Sequence, residues 1–76
     1  MAGKARQQME TARLVVNGEA VEARAATLAH LLDELGYGGR KVATALNGEF
    51  VAERQRAETR IAAGDMVEIV APRQGG

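Results

Sequence analysis

The sequence predicts a small α+β domain in which one short helix packs on a mixed sheet of four or five strands. Three observations predict it: two Asn-Gly pairs, one leucine-lined helical segment, and an alternating apolar run that ends at the single proline. A chain of 76 residues has room for one thin core. One helix covers one face of a sheet, so the prediction satisfies the two-layer rule and leaves the other face open.

The first Asn-Gly pair, Asn17-Gly18, predicts a hairpin at the start of the domain. A type I′ turn needs positive φ at both central residues, and Asn followed by Gly is the pair that best accepts it. Residues 14–16 are apolar, and residues 19–24 alternate in polarity as a half-exposed return strand does.

The helix is predicted over residues 28–35. Thr27 is suited to the N-cap position, and Gly36 fits a left-handed residue after the C-terminus. Between them, leucines recur at the i, i+3, i+4 and i+7 spacing that lines one helical face: Leu28, Leu31, Leu32 and Leu35. About two turns of helix are not stable alone, so the segment must lie on the sheet.

The second Asn-Gly pair, Asn47-Gly48, predicts another hairpin, between a strand at residues 42–46 and a short apolar piece at 50–51. Its flanks differ from those of the first pair, so we interpret the two as independent hairpins. The charged run 53–60 is interpreted as a solvated surface connection, anchored to the core by Ile61.

The last strand is predicted over residues 66–71, after a turn at Gly64-Asp65. Val67 and Ile69 fall on one face with Ala71, whereas Met66 and Val70 fall on the other with Glu68. Pro72 ends the strand because it has no backbone N–H. If one face is uncovered, Met66 and Val70 are candidates for contact with a partner, although isolated exposed apolar residues are also common on monomers.

The composition excludes several kinds of site. The chain has no cysteine and no tryptophan, and its formal net charge is zero. These features argue against disulfides, thiolate nucleophiles, stacking of nucleic-acid bases and a charged membrane-binding surface. His30, the single histidine, is interpreted as a solvated helix residue and not as a metal ligand. The absence of cysteine leaves the reducing cytoplasm as the expected location.

The candidate reactive group is the α-carboxylate of Gly76, preceded by Gly75. Glycine has no Cβ, so such an end can enter a narrow active site. The expected organisation is a mobile leader at residues 1–12, a domain at 13–71 and a flexible tail at 72–76. Fully extended, that tail reaches roughly 17 Å.

In their order, these pieces resemble the β-grasp fold of ubiquitin-like proteins and, within it, the ThiS-like sulfur carriers of thiazole formation in thiamin biosynthesis. The matching segments are residues 16–19, 28–35, 45–49 and 64–70, together with the Gly75-Gly76 end. The resemblance spans about residues 13–76. The chain departs from the pattern in its leader and at residues 51–53, where many relatives carry a proline.

The resemblance implies a carrier that is a co-substrate of enzymes and not an enzyme. A ThiF-like adenylyltransferase would use ATP to adenylate Gly76, and sulfur from a donor such as a cysteine desulfurase would then give a thiocarboxylate. A ThiG-like thiazole synthase would take that sulfur. Gly75, Gln74 and Arg73 would thread the partner's active site. The carrier itself would bind no cofactor or metal, and would be a free monomer that contacts neither nucleic acid nor membrane.

Three alternatives are open at this point. One is the small subunit of molybdopterin synthase, which has the same Gly-Gly end. Another is a carrier for a different thio-metabolite or a ubiquitin-like protein modifier. The third is a β-grasp binding module whose terminal glycines are incidental, since two terminal glycines arise by chance in roughly 1–2% of chains this rich in glycine.

Overall fold

The computed structural model describes residues 11–72, which form one five-stranded sheet and one α-helix. Strand β1 begins one residue before the predicted domain boundary, and residues 1–10 of the predicted leader lie outside the described residues. The elements are β1 (Ala12–Val16), β2 (Glu19–Ala23), α1 (Leu28–Glu34), β3 (Ala43–Leu46), β4 (Glu49–Val51), a 3-10 helix (Glu53–Glu58) and β5 (Met66–Val70).

The sheet is mixed, with the strand order β2-β1-β5-β3-β4. The last strand, β5, lies at the centre. It pairs in parallel with β1 and antiparallel with β3. The remaining pairs, β1 with β2 and β3 with β4, are antiparallel hairpins. The predicted α+β architecture, a short helix on a mixed sheet of the β-grasp type, is confirmed.

Both predicted type I′ turns are confirmed by their backbone angles. Asn17 and Asn47 each have φ of 51°, and the glycines that follow have φ of 84° and 86°. Asn is one of the few residues other than glycine that accepts this left-handed conformation at low cost.

Helix α1 ends one residue earlier than predicted, at Glu34, with Leu35 as its C-cap. The side chain of Thr27 caps the N-terminus and accepts a hydrogen bond from the amide of His30 at 3.3 Å. Gly36 follows with φ of 91°, the left-handed conformation that ends many helices.

The core lies between the helix and one face of the sheet. Its most completely buried side chains come from β1, α1 and β5: Leu14, Leu28, Leu31 and Val67. Burial alternates along β5, with Val67 and Ile69 inside and Met66 and Val70 outside. The predicted alternation along β5 is confirmed, and the structure shows that the face with Val67 and Ile69 is the buried one.

The charged run at 53–60 is not the purely solvated connection that we predicted. Residues 53–58 form the 3-10 helix, and Arg56 within it is 8% exposed. Its guanidinium donates to the Thr44 hydroxyl at 3.0 Å and to the carbonyl of Val42 at 2.7 Å. An arginine is rarely buried unless its donors are satisfied, and here two of them bond to β3 and the residue before it.

Ile61 anchors the end of this connection, as predicted. It is half-buried against the core, and its amide donates to the carbonyl of Ala26 at 3.0 Å. The segment then turns at Gly64, whose φ is 89°, and enters β5.

Candidate functional site

The candidate site begins where β5 ends. The strand stops at Val70, one residue before the predicted limit, and Ala71 and Pro72 are exposed and outside regular structure. The predicted reactive residue Gly76 lies outside the described residues, as do Gly75, Gln74 and Arg73. The structure therefore defines the point from which the C-terminal segment departs.

That point of departure is fixed because β5 is held on both sides. Against β3, Ile69 pairs with Thr44 and Val70 pairs with Ala43, so pairing continues to the last residue of the strand. Against β1, the backbone register covers only Met66 and Val67. The end of β5 is therefore paired with the backbone of β3 on one side, whereas on the other side its partner is not the backbone of β1.

The missing partner on the β1 side is the side chain of Asn17. Its carboxamide oxygen accepts from the amide of Ile69 at 2.8 Å, and its amide nitrogen donates to the carbonyl of the same residue at 3.1 Å. These two bonds join residues 52 positions apart in the chain. The first turn therefore contacts the last strand of residues 11–72, which the sequence analysis did not predict.

Asn47 makes the corresponding contact at the start of β5. Its side-chain oxygen accepts from the amide of Met66 at 2.9 Å, while its own backbone amide donates to the carbonyl of Met66 at 2.7 Å. The Asn47 side chain also donates to a carboxylate oxygen of Asp65 at 3.1 Å. The two Asn-Gly turns thus bind the central strand from opposite sides and at opposite ends.

The second part of the candidate site is the face of the sheet that the helix does not cover. Three large apolar side chains are exposed there: Phe50 at 72%, Val70 at 61% and Met66 at 54%. The register places Ala45 opposite both Phe50 and Glu68, and it places Ala43 opposite Val70. Directly opposed residues point to the same face. We call this set, Phe50, Ala43, Ala45, Met66, Glu68 and Val70, the open face.

Met66 and Val70, predicted as partner contacts, both lie on the open face, and their role in docking stays a prediction. Phe50 has the largest exposed fraction of the three and was not predicted as a contact. The sequence held a usable signal, because Phe50 precedes the buried Val51 in a strand and must therefore point the other way. The open face is mainly apolar with one carboxylate, that of Glu68, near its middle.

An open groove of about 480 Å³ lies elsewhere, between the end of α1 and the 3-10 helix. Acidic and basic side chains line it together, among them Asp33, Glu53, Arg40 and Lys41. The guanidinium of Arg40 lies 5.8 Å from the ring centroid of Tyr37, within reach of a cation–π contact.

His30 lies exposed on α1. Within residues 11–72, no group of three or more His, Cys, Asp or Glu side chains is placed to hold a metal ion. No helix in the same range is long and apolar enough to cross a membrane.

Comparison with known proteins gives the following findings. The model of the ThiS family matches residues 6–76. Among solved structures, the chain is similar to the thiamine biosynthesis protein (ThiS) from Geobacter metallireducens, with a TM-score of 0.71 and 29% sequence identity. That similarity covers 84% of this chain and 99% of the other. No curated protein matches the chain significantly.

Proposed function

Since the chain belongs to the ThiS family, whose members are small sulfur carriers of thiamin biosynthesis, we propose that its sulfur is carried on the carboxyl of Gly76. In the first step, the carboxylate attacks the α-phosphate of ATP in an E1-like, ThiF-like enzyme, releasing pyrophosphate and leaving an acyl-adenylate. A sulfur nucleophile at the oxidation level of sulfide then displaces AMP and leaves a thiocarboxylate.

Activation is needed because a free carboxylate is a poor electrophile, and AMP is a far better leaving group than oxide. The sulfur comes from a donor such as a cysteine desulfurase, which delivers it as a persulfide. A thiol reductant supplies the two electrons that bring this sulfur to the level of sulfide: it cleaves the S–S bond and is itself oxidised to a disulfide. A ThiG-like thiazole synthase consumes the thiocarboxylate and returns the carboxylate. The protein is thus a co-substrate, the ATP site and catalytic groups belong to its partners, and all of these steps take place in the cytoplasm.

The observation that carries the proposal is the position of β5. The central strand ends at Val70, directly before exposed residues, so the C-terminal residues follow a strand that is paired on both sides. Residues 72–76 reach roughly 17 Å when extended. The carboxyl can therefore enter a partner's active site while the folded domain stays outside it.

The open face supplies the docking surface in this proposal. Val70 is on the open face and is also the last residue of β5, two residues before the tail begins at Pro72, so the surface and the tail are adjacent. Burying an exposed Phe or Met side chain contributes about 1.5–3 kcal/mol each. Docking through Phe50, Met66 and Val70 would then hold the domain on the enzyme while the tail enters its active site.

The test is an intact-mass measurement. The purified chain is incubated with a ThiF-like enzyme, ATP and a sulfur donor. We expect the mass change of one oxygen-to-sulfur exchange, located at Gly76 by fragmentation. Absence of that exchange, with an enzyme that activates its own cognate carrier in parallel, would contradict the proposal.

A variant that lacks Gly76 is the matched control. It should retain the thermal unfolding curve of the full chain and lose the mass change. Sulfur transfer that survives the deletion would place the reactive group elsewhere. Incubating the thiocarboxylate form separately with thiazole synthase and with molybdopterin synthase then shows which enzyme consumes it.

A further inference from the structure

The two backbone groups of Ile69 that face β1 both bond to one side chain, that of Asn17. A carboxamide has the same donor and acceptor as a peptide group. At this position it bonds Ile69 as the backbone of a continuing β1 strand would. The amide of Asn17 itself bonds the carbonyl of Val67 at 2.9 Å, so the side chain adds one more step to the ladder beyond the last backbone contact.

The backbone of β1 cannot make that step because it turns away. With φ of 51° at Asn17 and 84° at Gly18, the chain enters the hairpin and leads into β2. The side chain remains pointed along β5 while the main chain departs. Asn17 thus combines two properties that few residues share: it accepts the left-handed turn conformation, and it carries a peptide-like group.

Removing the carboxamide would leave the final part of β5 paired only with β3. Ile69 and Val70 would keep their partners Thr44 and Ala43 but have none on the β1 side among the described residues. A strand end bonded on one side frays more readily than one bonded on both. The point at which the chain leaves the sheet would then move from residue 71 to residue 69 for part of the time.

We propose that Asn17 is a positioning residue for the C-terminal tail: it fixes where the tail leaves the sheet, and hence how Gly76 is presented to the activating enzyme. This inference rests on the proposed function of Gly76. Moving the point of departure two residues back lowers the effective concentration of the carboxyl at the partner's active site by about 1.5-fold, and the less defined direction of departure lowers it further.

The test compares Asn17→Gly with Asn47→Gly. Glycine accepts positive φ, so each substitution preserves its turn and removes only a carboxamide. The two asparagines have the same φ, the same following residue and a similar contact with β5. They differ in the end of β5 that they bind, so Asn47→Gly is the matched control for any general loss of stability.

The first measurement is hydrogen exchange at single amides. In Asn17→Gly the amide of Ile69 should exchange about tenfold faster or more, with that of Met66 little changed, and the reverse is expected in Asn47→Gly. Asn17→Asp retains the acceptor and removes the donor, so it should give an intermediate rate at Ile69. Unchanged exchange at Ile69 in Asn17→Gly overturns the proposal.

The second measurement is the steady-state rate of Gly76 adenylation with the carrier as the varied substrate. Because Phe50 and Met66 stay in place and only Val70 of the open face is released for part of the time, Asn17→Gly should leave KM within about twofold. It should lower kcat by about threefold to tenfold, while Asn47→Gly matches the wild type. Equal kcat for the two variants, or a change in KM alone, overturns the positioning role.

The two proposals fail in distinguishable ways. If the wild-type chain is not adenylated at all, the proposed function fails and the tail has no role to position. If the wild type is adenylated, and Asn17→Gly speeds hydrogen exchange at the Ile69 amide without lowering kcat, only the proposed role of Asn17 fails.

Discussion

The Nε of Arg56 donates to the hydroxyl of Thr44 at 3.0 Å, and that hydroxyl in turn donates to the carbonyl of Val51 at 2.8 Å. Thr44 is 2% exposed. This chain of bonds joins the 3-10 helix to β3 and β4 through buried atoms. Since a buried polar atom without a partner is costly, the three residues act as one unit.

Replacing Arg56 with lysine should therefore lower the free energy of unfolding by about 1–3 kcal/mol. Lysine keeps the charge but cannot present two donors in the fixed geometry that reaches both Thr44 and Val42. Chemical denaturation measures the effect. The control is Arg54→Lys, because Arg54 is exposed in the same 3-10 helix, and a change there within about 0.5 kcal/mol is expected. Equal effects of the two substitutions would show that the buried bonds are unimportant.

Phe50→Ala should weaken binding to the activating enzyme by about tenfold or more, since the ring is the largest apolar group exposed on the open face. The stability of the free domain should change little, because a side chain that is 72% exposed contributes little to the core. Calorimetry with the purified enzyme gives the affinity. His30→Ala, an exposed change on the helix, should bind normally. Wild-type affinity in Phe50→Ala would contradict the proposal that the domain docks through the open face.

Glu68→Lys should also weaken that binding, and the loss should be larger at low salt than at high salt. The carboxylate lies opposite Ala45 within an apolar surface, so a partner that covers it must supply a cation or leave a desolvated charge unpaired. Association rates over a series of ionic strengths measure the effect. Glu58→Lys makes the same charge change on the 3-10 helix, away from the open face, and should change the association rate little. An equal loss of affinity in both variants would show that binding depends on the net charge of the domain and not on the position of Glu68.

Gly75→Ala should lower kcat/KM for adenylation by about tenfold or more while the unfolding temperature stays the same. If the carboxyl of Gly76 is the reactive group, as proposed, a Cβ on residue 75 restricts the backbone and widens the chain where it would enter the enzyme. Gln74→Ala, one residue earlier, is the control and should have a smaller effect. Normal kinetics in Gly75→Ala would indicate that the glycine pair is not required for entry.

Much of the fold could be predicted from the sequence because its signals are local. Each of these signals involves only a few neighbouring residues: the two Asn-Gly pairs, the leucine spacing of the helix and the strand that ends before Pro72. The strand and helix limits differ from the prediction by one residue, or by two at the start of β1, since end residues depend on tertiary hydrogen bonds. The open face was predicted in part, through the alternation of Met66 and Val70 along one strand.

What could not be predicted depends on contacts between distant residues. The role of Asn17 beyond its turn requires Ile69 to lie beside it, and nothing near Asn17 in the chain indicates that. Arg56 belongs to a run of charged residues whose other members are mostly exposed, and only its position under β3 distinguishes it. Phe50 shares a surface with Val70 because β3 lies between their strands, which is a property of the sheet order.

The central position of β5 also has a consequence for biosynthesis. Among the five strands within residues 11–72, β5 is the last to be synthesised, and it pairs with β1, the first of them. Nascent chains therefore cannot close their core until residues 66–70 have left the ribosome, and contacts of such high sequence separation form late. A chain terminated before β5 lacks its middle strand and remains open to proteolysis. Folding thus selects against chains that end before the segment from which the C-terminal residues depart.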